Sequence, residues 1–379
     1  MSTLIVIQLG SGSLQGGFPL ITAQLWAHPN ALPEQFTGSL PAMPQLLMLS
    51  QSWQALYRAL CDYSAPPLSS KTTPETTTRS LPHQAAALQP DDGPDDESDD
   101  LFEIDEGGLQ HVSSYDFESL CHSLSEQFNL WLCSAEFGSI ERPLRSHLSL
   151  QDQIRIVLVT QNDAIRRLPW QKWHLIQDYP GAELALSLPQ YQRQQRQRQQ
   201  VRSVTRTRPR ILAILGNAQG IDLTQEEQCL QQIPNADIVF LAQPSRQQFD
   251  QALWDAAGWD LLFFAGHSSS DSSEIGRLYI NDQINEQTDN EQIGSEQKSK
   301  NSLTIDDISE ALLAALENGL QLAIFNSCDG LGLANQLAHL NIPQVIVLRE
   351  PVPNRVAQQF FQSFLAAYVQ QERPLYEAV

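Results

Sequence analysis

The chain has 379 residues, 23 of them Lys or Arg and 44 Asp or Glu, with a formal charge of −21 and 41% hydrophobic residues, which predicts an acidic, soluble globular protein with room for two domains. Nucleic acid and anionic membrane surfaces repel such a polyanion, so nucleic acid is excluded as a partner. No apolar run approaches the roughly 18 to 20 residues of a spanning helix, and Met1 to Leu9 lacks the basic start and long apolar core of a signal peptide, so this chain is expected not to span a membrane.

In chain order, Leu4–Leu9 and Pro19–Trp26 are short, β-branched runs bounded by turn residues and read as strands, as does Ile154–Thr160 further on. Helical stretches lie at Met48–Cys61 and Asp116–Cys133. Between Asp62 and Val112 the chain turns to Ser, Thr, Pro and acid, with ten carboxylates from Asp91 to Glu106 and almost nothing to bury, so residues 63–111 are predicted to be a disordered acidic insert. The segment LPWQKWHLI (Leu168–Ile176) carries two tryptophans three residues apart, which are expected to pack in a core, with His174 a satisfied interior histidine rather than a base. Gln192–Arg210 holds seven of the 23 basic residues and lacks apolar periodicity over most of its length; it reads as a solvated linker and the domain boundary. Residues 1–62 and 112–191 would then form one α/β domain and residues 211–379 another.

Beyond the linker the apolar runs become regular: Ile211–Leu215, Ala236–Leu241, Trp259–Gly266, Leu320–Ser327 and Pro343–Leu348. Near-continuous runs of this kind suit strands buried on both faces. Amphipathic helices separate or follow them at Thr224–Gln232, Ser245–Ala257, Ile305–Glu317, Gly330–Leu340 and Val356–Tyr368, so the expected fold is α/β, a mostly parallel sheet with helices on both faces. Ligands bind such sheets beyond the carboxyl ends of the strands. Two strand ends carry chemistry there. FFAGHSSS places His267 after the flexible Gly266, and FNSCDG places Cys328 before a helix that starts near Gly330, whose unpaired amides favour thiolate over thiol. If the two strands are neighbours, imidazole and sulfur approach as a Cys/His nucleophilic pair requires, with the amide of Cys328 and one from the loop after His267 available to an oxyanion. A cysteine at a strand end is otherwise most often a small buried hydrophobe. The separation of 61 residues from His267 to Cys328 exceeds the roughly 50 of caspases, an excess that the polar stretch Asn281–Ser302 accounts for; the caspase pentapeptide is absent.

The block AGHS (Ala265–Ser268) and, within the long stretch from Leu303 to Tyr368, the blocks NSCDG and REPVPNRVAQQF together resemble the CHAT family, caspase-like cysteine peptidase domains abundant in cyanobacteria. LPWQKW at Leu168 is similar to an LPW block of that family, so the resemblance runs over about Leu144 to Val379 and is firmest from Trp259 onward. The first sixty residues resemble a leader found on some multi-domain cyanobacterial members. The resemblance implies a caspase-hemoglobinase fold in residues 211–379, preceded by a noncatalytic α/β companion domain. It implies His267 as general acid or base, Cys328 as nucleophile, a thioester intermediate, a protein or peptide substrate, and no metal or organic cofactor. Many members carry Gly after the histidine, where Ser268 stands here; a serine still donates its amide to the oxyanion. Relatives usually continue past RPLYEAV with another helix and a final strand, which implies a shortened chain, and those with this leader often carry a membrane-spanning sensor domain downstream. If such a domain has been removed here, the native protein would be membrane-attached although this chain is not.

The loop Arg349–Asn354 lies where caspase-like folds build the pocket for the residue before the cut. Arg349 would suit an acidic side chain, and Glu350 or Asp329 a basic one. The alternative is that Arg349 and Glu350 pair with one another or with solvent. Asn326 and Asp329 are candidates for orienting the nucleophile loop. Three functional classes follow: a cysteine endopeptidase regulated by an activating protein partner or by cleavage, a catalytically idle signalling module, and a nucleotide or flavin binder suggested by LGNAQG from Leu215. That last stretch lacks the spacing of a dinucleotide fingerprint and the Lys-Ser/Thr of a P-loop. Cys61, Cys121, Cys133 and Cys229 fall in helical patterns as packed or idle thiols, and with Cys328 they form neither a disulfide framework nor a CxxC pair, which fits a reducing cytoplasm.

Overall fold

The computed structural model describes residues 2–28, 31–64, 114–189, 208–217, 223–270, 276–281, 302–327, 330–350, 352–371 and 373–379. Residues 65–111 of the expected insert, 192–207 of the expected linker, the polar stretch 282–301, and Cys328 and Asp329 lie outside the described residues.

The amino-terminal half is built on a five-stranded sheet. β1 (Ser2–Leu9) and β2 (Phe18–Trp26) form an antiparallel pair, β3 (Glu34–Leu40) extends it, and β4 (Gln153–Val159) and β5 (Ala182–Ser187) run parallel to β1 on its other side. Ile5, Ile7 and Leu9 are buried while Gln8 between them is exposed, the period-two pattern of a strand with one covered face. The helices of this half are α1 (Pro44–Ser64), α2 (Ser114–Leu132), α3 (Gly138–His147), α4 (Asp163–Arg166) and α5 (His174–Asp178). Phe128 and Trp131 of α2, Leu144 of α3, and Trp170 and Trp173 fill the core. Trp170 meets Phe128 edge-on at 5.2 Å between ring centroids, the packing expected of the tryptophan pair.

The neighbouring His174 is a correction: it is exposed, not interior. Leu175 takes the buried position of α5, and the residue before it turns about 100° away around the helix. Its backbone N–H, donating to Asn129 Oδ1 at 3.0 Å, anchors the turn instead. Strands β3 and β5 escape the sequence pattern because each is a sheet edge with half-exposed residues and few long apolar runs.

The second half alternates strand and helix. Its elements are β6 (Arg210–Leu215), α6 (Thr224–Gln231), β7 (Asp237–Ala242), α7 (Arg246–Leu253) and β8 (Leu261–Ala265). A three-stranded antiparallel sheet of β9 (Ser268–Ser270), β10 (Gly276–Tyr279) and β11 (Ser302–Thr304) follows. Then come α8 (Ser309–Glu317), β12 (Leu322–Asn326), α9 (Gly330–His339), β13 (Gln344–Val347), α10 (Asn354–Leu365) and α11 (Leu375–Ala378). The five long strands are all parallel, in the order β13-β12-β8-β6-β7.

Successive strand residues point to opposite faces, so each central strand feeds two cores. Leu212, Ile214, Leu262, Phe264, Ala323 and Phe325 face α7, α8 and α9. Ile211, Ala213, Phe263, Ala265 and Ile324 face α6 and α10. The central strands β8 and β12 are buried throughout, whereas the edge strands β7 and β13 stay half-exposed, so the expectation of a doubly covered parallel sheet holds in its middle. No described helix is long and apolar enough to cross a membrane.

The short sheet is tied to α7 through Asp307. Its carboxylate accepts from Thr304 N–H at 2.9 Å, Thr304 Oγ1 at 2.7 Å and Arg246 Nη2 at 2.9 Å. Burial alone would raise its pKa, but the hydrogen bonds and the Arg246 charge outweigh it and hold the group below its ordinary value. The stability it contributes is therefore present above the ordinary carboxylate range and lost as pH falls through the lowered pKa. Asp307→Asn is expected to cost about 1 kcal/mol at pH 7 and less near pH 3, read by denaturant unfolding at both pH values.

Candidate functional site

The parallel strands β8 and β12 are hydrogen-bonded neighbours, in register from Leu261↔Leu322 to Ala265↔Asn326. Pairing continues one step past the strand, where Gly266 N–H donates to Asn326 O at 3.2 Å. The neighbour relation that a His/Cys pair requires is thus present. His267 follows at the carboxyl edge, half-buried, and its carbonyl accepts from Tyr279 N–H at 3.0 Å, which carries the chain into the β9–β10 hairpin. Ser268 opens that hairpin opposite Leu278.

The edge is built by close backbone approach. Gly266 has φ +155°, and a Cβ there would lie 3.2 Å from Gly216 Cα and 3.3 Å from Asn217 O at the end of β6. Gly216 N–H donates to Ala265 O at 2.8 Å. β6 and β8 are also the pair where strand order reverses, the topological switch point at which open α/β sheets bind ligands. Across β12, Gly330 opens α9, and its N–H donates to Leu348 O at 3.0 Å. A Cβ on Gly330 would fall 2.5 Å from Val347 Cβ and 2.6 Å from Leu348 O. Cys328 and Asp329, which lie outside the described residues, are bracketed in sequence by Ser327 at the end of β12 and Gly330 at the start of α9.

Beneath the edge lies a buried polar group that the sequence reading missed. Glu226 of α6 is 2% exposed, and its two oxygens accept from Asn326 Nδ2 and Gln358 Nε2, each at 3.3 Å. Glu226 stands four residues before Leu230 and three after Leu223, both buried. A carboxylate on the apolar face of an amphipathic helix is the signal that would have revealed it. Asn326, a candidate for orienting the nucleophile loop, is held by this group from below.

Arg349 and Glu350 lie one strand further along, after β13, and do not pair with one another. Glu350 is 7% exposed and accepts from Arg167 Nη1 at 2.7 Å, with Arg58 Nη2 at 3.9 Å. Arg349 Nη1 donates to the carbonyl of Leu168 at 2.9 Å. Burial depresses the Arg349 pKa, as does the Arg167 charge, against the opposing pull of Glu350. Both charged groups are directed at the amino-terminal half.

Among the described cysteines, burial first and the Glu141 carboxylate second push the Cys133 thiol up; burial and Glu226 do the same at Cys229. Thiols so shifted stay protonated at neutral pH and react slowly. Cys121 Sγ accepts a hydrogen bond from Trp53 Nε1 at 3.2 Å. A cavity of about 480 Å³ between β5 and β13, lined mainly by apolar groups, includes none of His267, Arg349 and Glu350.

A comparison with protein-family models matches residues 138–379 to the one described as the CHAT domain. The match begins at the first residue of α3 and takes in β4, α4, β5 and all of the second half. No curated protein is similar enough to the chain to match.

Gly330→Ala is expected to destabilise the protein by about 1–3 kcal/mol, because the new methyl meets backbone and a β-branched side chain rather than a flexible tip. Thermal and denaturant unfolding of the variant against the parent checks it.

Proposed function

The chain belongs to the CHAT family, whose members are caspase-like cysteine peptidases, and on that premise we propose that it is a cysteine endopeptidase acting through His267 and Cys328. The single observation that carries the reading is the in-register pairing of β8 with β12, which makes the segments bearing the two residues neighbours at one sheet edge. In this mechanism the His267 imidazole accepts the thiol proton of Cys328, and the thiolate adds to the scissile carbonyl. The resulting oxyanion is held by backbone amides of Cys328 and of the Gly266–Ser268 loop. Collapse breaks the C–N bond as His267 returns the proton to the leaving amine, leaving a thioester. Water, deprotonated by His267, then hydrolyses the thioester and frees the thiol. The start of α9 two residues after Cys328 supports the chemistry, because the positive end of its dipole favours the thiolate.

The caspase-hemoglobinase character of residues 211–379 belongs to the same proposal. So do a noncatalytic supporting role for residues 1–62 and 112–191, and a signalling context in which cleavage is regulated. Of the three pocket candidates, Asp329 is the residue we retain for contacting the side chain before the cut. Arg349 and Glu350 are already engaged by Leu168 and Arg167.

Labelling the purified chain with a peptidyl acyloxymethyl ketone library varied at the residue before the cut, followed by mass spectrometry, is expected to place the adduct on Cys328. His267→Ala should abolish that adduct and slow alkylation of Cys328 at neutral pH, and Cys328→Ala should abolish peptide hydrolysis while the protein stays folded. Full hydrolysis by a folded Cys328→Ala protein overturns the assignment. Failure of any reagent to reach Cys328 ahead of Cys133 and Cys229 points to an idle module.

A further inference from the structure

Three consecutive residues of the amino-terminal half, Arg166, Arg167 and Leu168, grip α9, which follows the proposed nucleophile, and the residues just after β13, the strand paired with β12. The Arg166 guanidinium, with its side chain 6% exposed, contacts Asn335 Oδ1 on α9 and lies 3.4 Å from Asp163 Oδ1, which also accepts from Asn335 Nδ2 at 3.4 Å. Arg167 holds Glu350 and the Leu168 carbonyl holds Arg349, both directly after β13. α9 and β13 are in turn locked together at Gly330, through its hydrogen bond to Leu348 O and the absence of room for a side chain.

The gripping segment is itself fixed. Asn162 caps α4 by accepting from Ile165 N–H at 3.2 Å, Trp170 Nε1 donates to Ile165 O at 2.8 Å, and Leu168 and Trp170 are buried in the amino-terminal core. The geometry points to a clasp: Arg166, Arg167 and Leu168, acting through Asn335, Arg349 and Glu350, are positioning elements that transmit the placement of the amino-terminal sheet to the turn carrying Cys328. This inference rests on Cys328 being the nucleophile, and it assigns Arg349 and Glu350 to the turn's placement instead of to substrate contact.

Charge makes the clasp asymmetric. Glu350 is the acidic group among Arg58, Arg167 and Arg349, and its Oε2 has no hydrogen-bond partner. Removing its charge leaves the neighbouring Arg167 and Arg349 charges without the anion that offsets their repulsion, in a site where burial already disfavours the Arg349 charge. Removing Arg167 leaves Glu350 with Arg58 and Arg349 nearby. Glu350→Gln should therefore disturb the turn more than Arg167→Gln, and the double variant should recover part of the loss, since it relieves the repulsion.

The test measures the rate of iodoacetamide alkylation at Cys328 by mass spectrometry in the full chain, together with the inactivation rate constant and binding constant for the best peptidyl ketone. Glu350→Gln is expected to lower the alkylation rate and the inactivation rate constant by about three- to thirty-fold, with the binding constant and the preferred side chain before the cut unchanged. Arg167→Gln should show a smaller loss and the double variant an intermediate one. If Glu350→Gln instead weakens ketone binding or changes the preferred side chain at an unaltered inactivation rate, Glu350 lines the substrate pocket and the clasp is refuted. Equal alkylation rates in parent and variants also refute it. Should Glu350→Gln fail to fold, Asn335→Ala opens the other arm of the clasp and must slow Cys328 alkylation in the same sense. A parent protein that takes no ketone at all counts against the peptidase assignment, while the iodoacetamide rates still decide the clasp.

Discussion

Much of the structure depends on backbone meeting backbone at the carboxyl edge of the second sheet. Gly216 and Gly266 let β6 and β8 close together there, and Gly330 lets the start of α9 rest on Leu348. At Gly216 and Gly330 a side chain would stand where a neighbouring main chain or packed side chain already is, and at Gly266, whose φ is +155°, it would crowd Gly216 and Asn217. With those contacts made, the end of β8 leads directly into His267 and the β9–β10 hairpin, and β12 leads into the turn before α9. The buried central strands supply the rigid platform, because their side chains pack into cores on both faces.

A polar framework surrounds this edge. Glu226 beneath it joins α6, β12 and α10 through Asn326 and Gln358. The Arg167–Glu350 pair beside it joins the two halves of the molecule. Buried charges cost desolvation that their pairing only offsets, so groups of this kind add little net stability, whereas removing one partner is costly. Glu226 takes hydrogen bonds from two carboxamides. The ion pair, by contrast, spans an interface, where a small displacement separates charges and changes energy steeply.

The reach of the family match has a physical counterpart in these contacts. It begins at residue 138, well before the linker, and so contains both sides of the interface: residues 163–168 on one, residues 335–350 on the other. β4, β5 and the segment holding Trp170 and Trp173 belong by packing to the amino-terminal sheet, yet they touch the second half through Arg166, Arg167 and Leu168. A boundary drawn at 192–210 follows composition, and these contacts run between the sequence on either side of it.

Local patterns in the sequence determined most of the second half. Apolar runs at Ile211–Leu215, Leu261–Ala265 and Leu322–Asn326 alternate with amphipathic helices, and burial on both faces leaves that signature in any window a few residues wide. They also put His267 and Cys328 at strand ends, because each follows its apolar run within three residues. Edge strands such as β3 and β5 stayed hidden, since half-exposed positions accept any residue type. The same holds for His174, whose exposure depends on which side of a five-residue helix meets the core. What only the tertiary structure decided was who neighbours whom. The pairing of β8 with β12, the meeting of Glu226 with Asn326 a hundred residues away, and the capture of Glu350 by Arg167 join residues far apart in the chain. Strand order and interface partners are set by the packing of whole elements, a long-range balance that no local window of sequence contains.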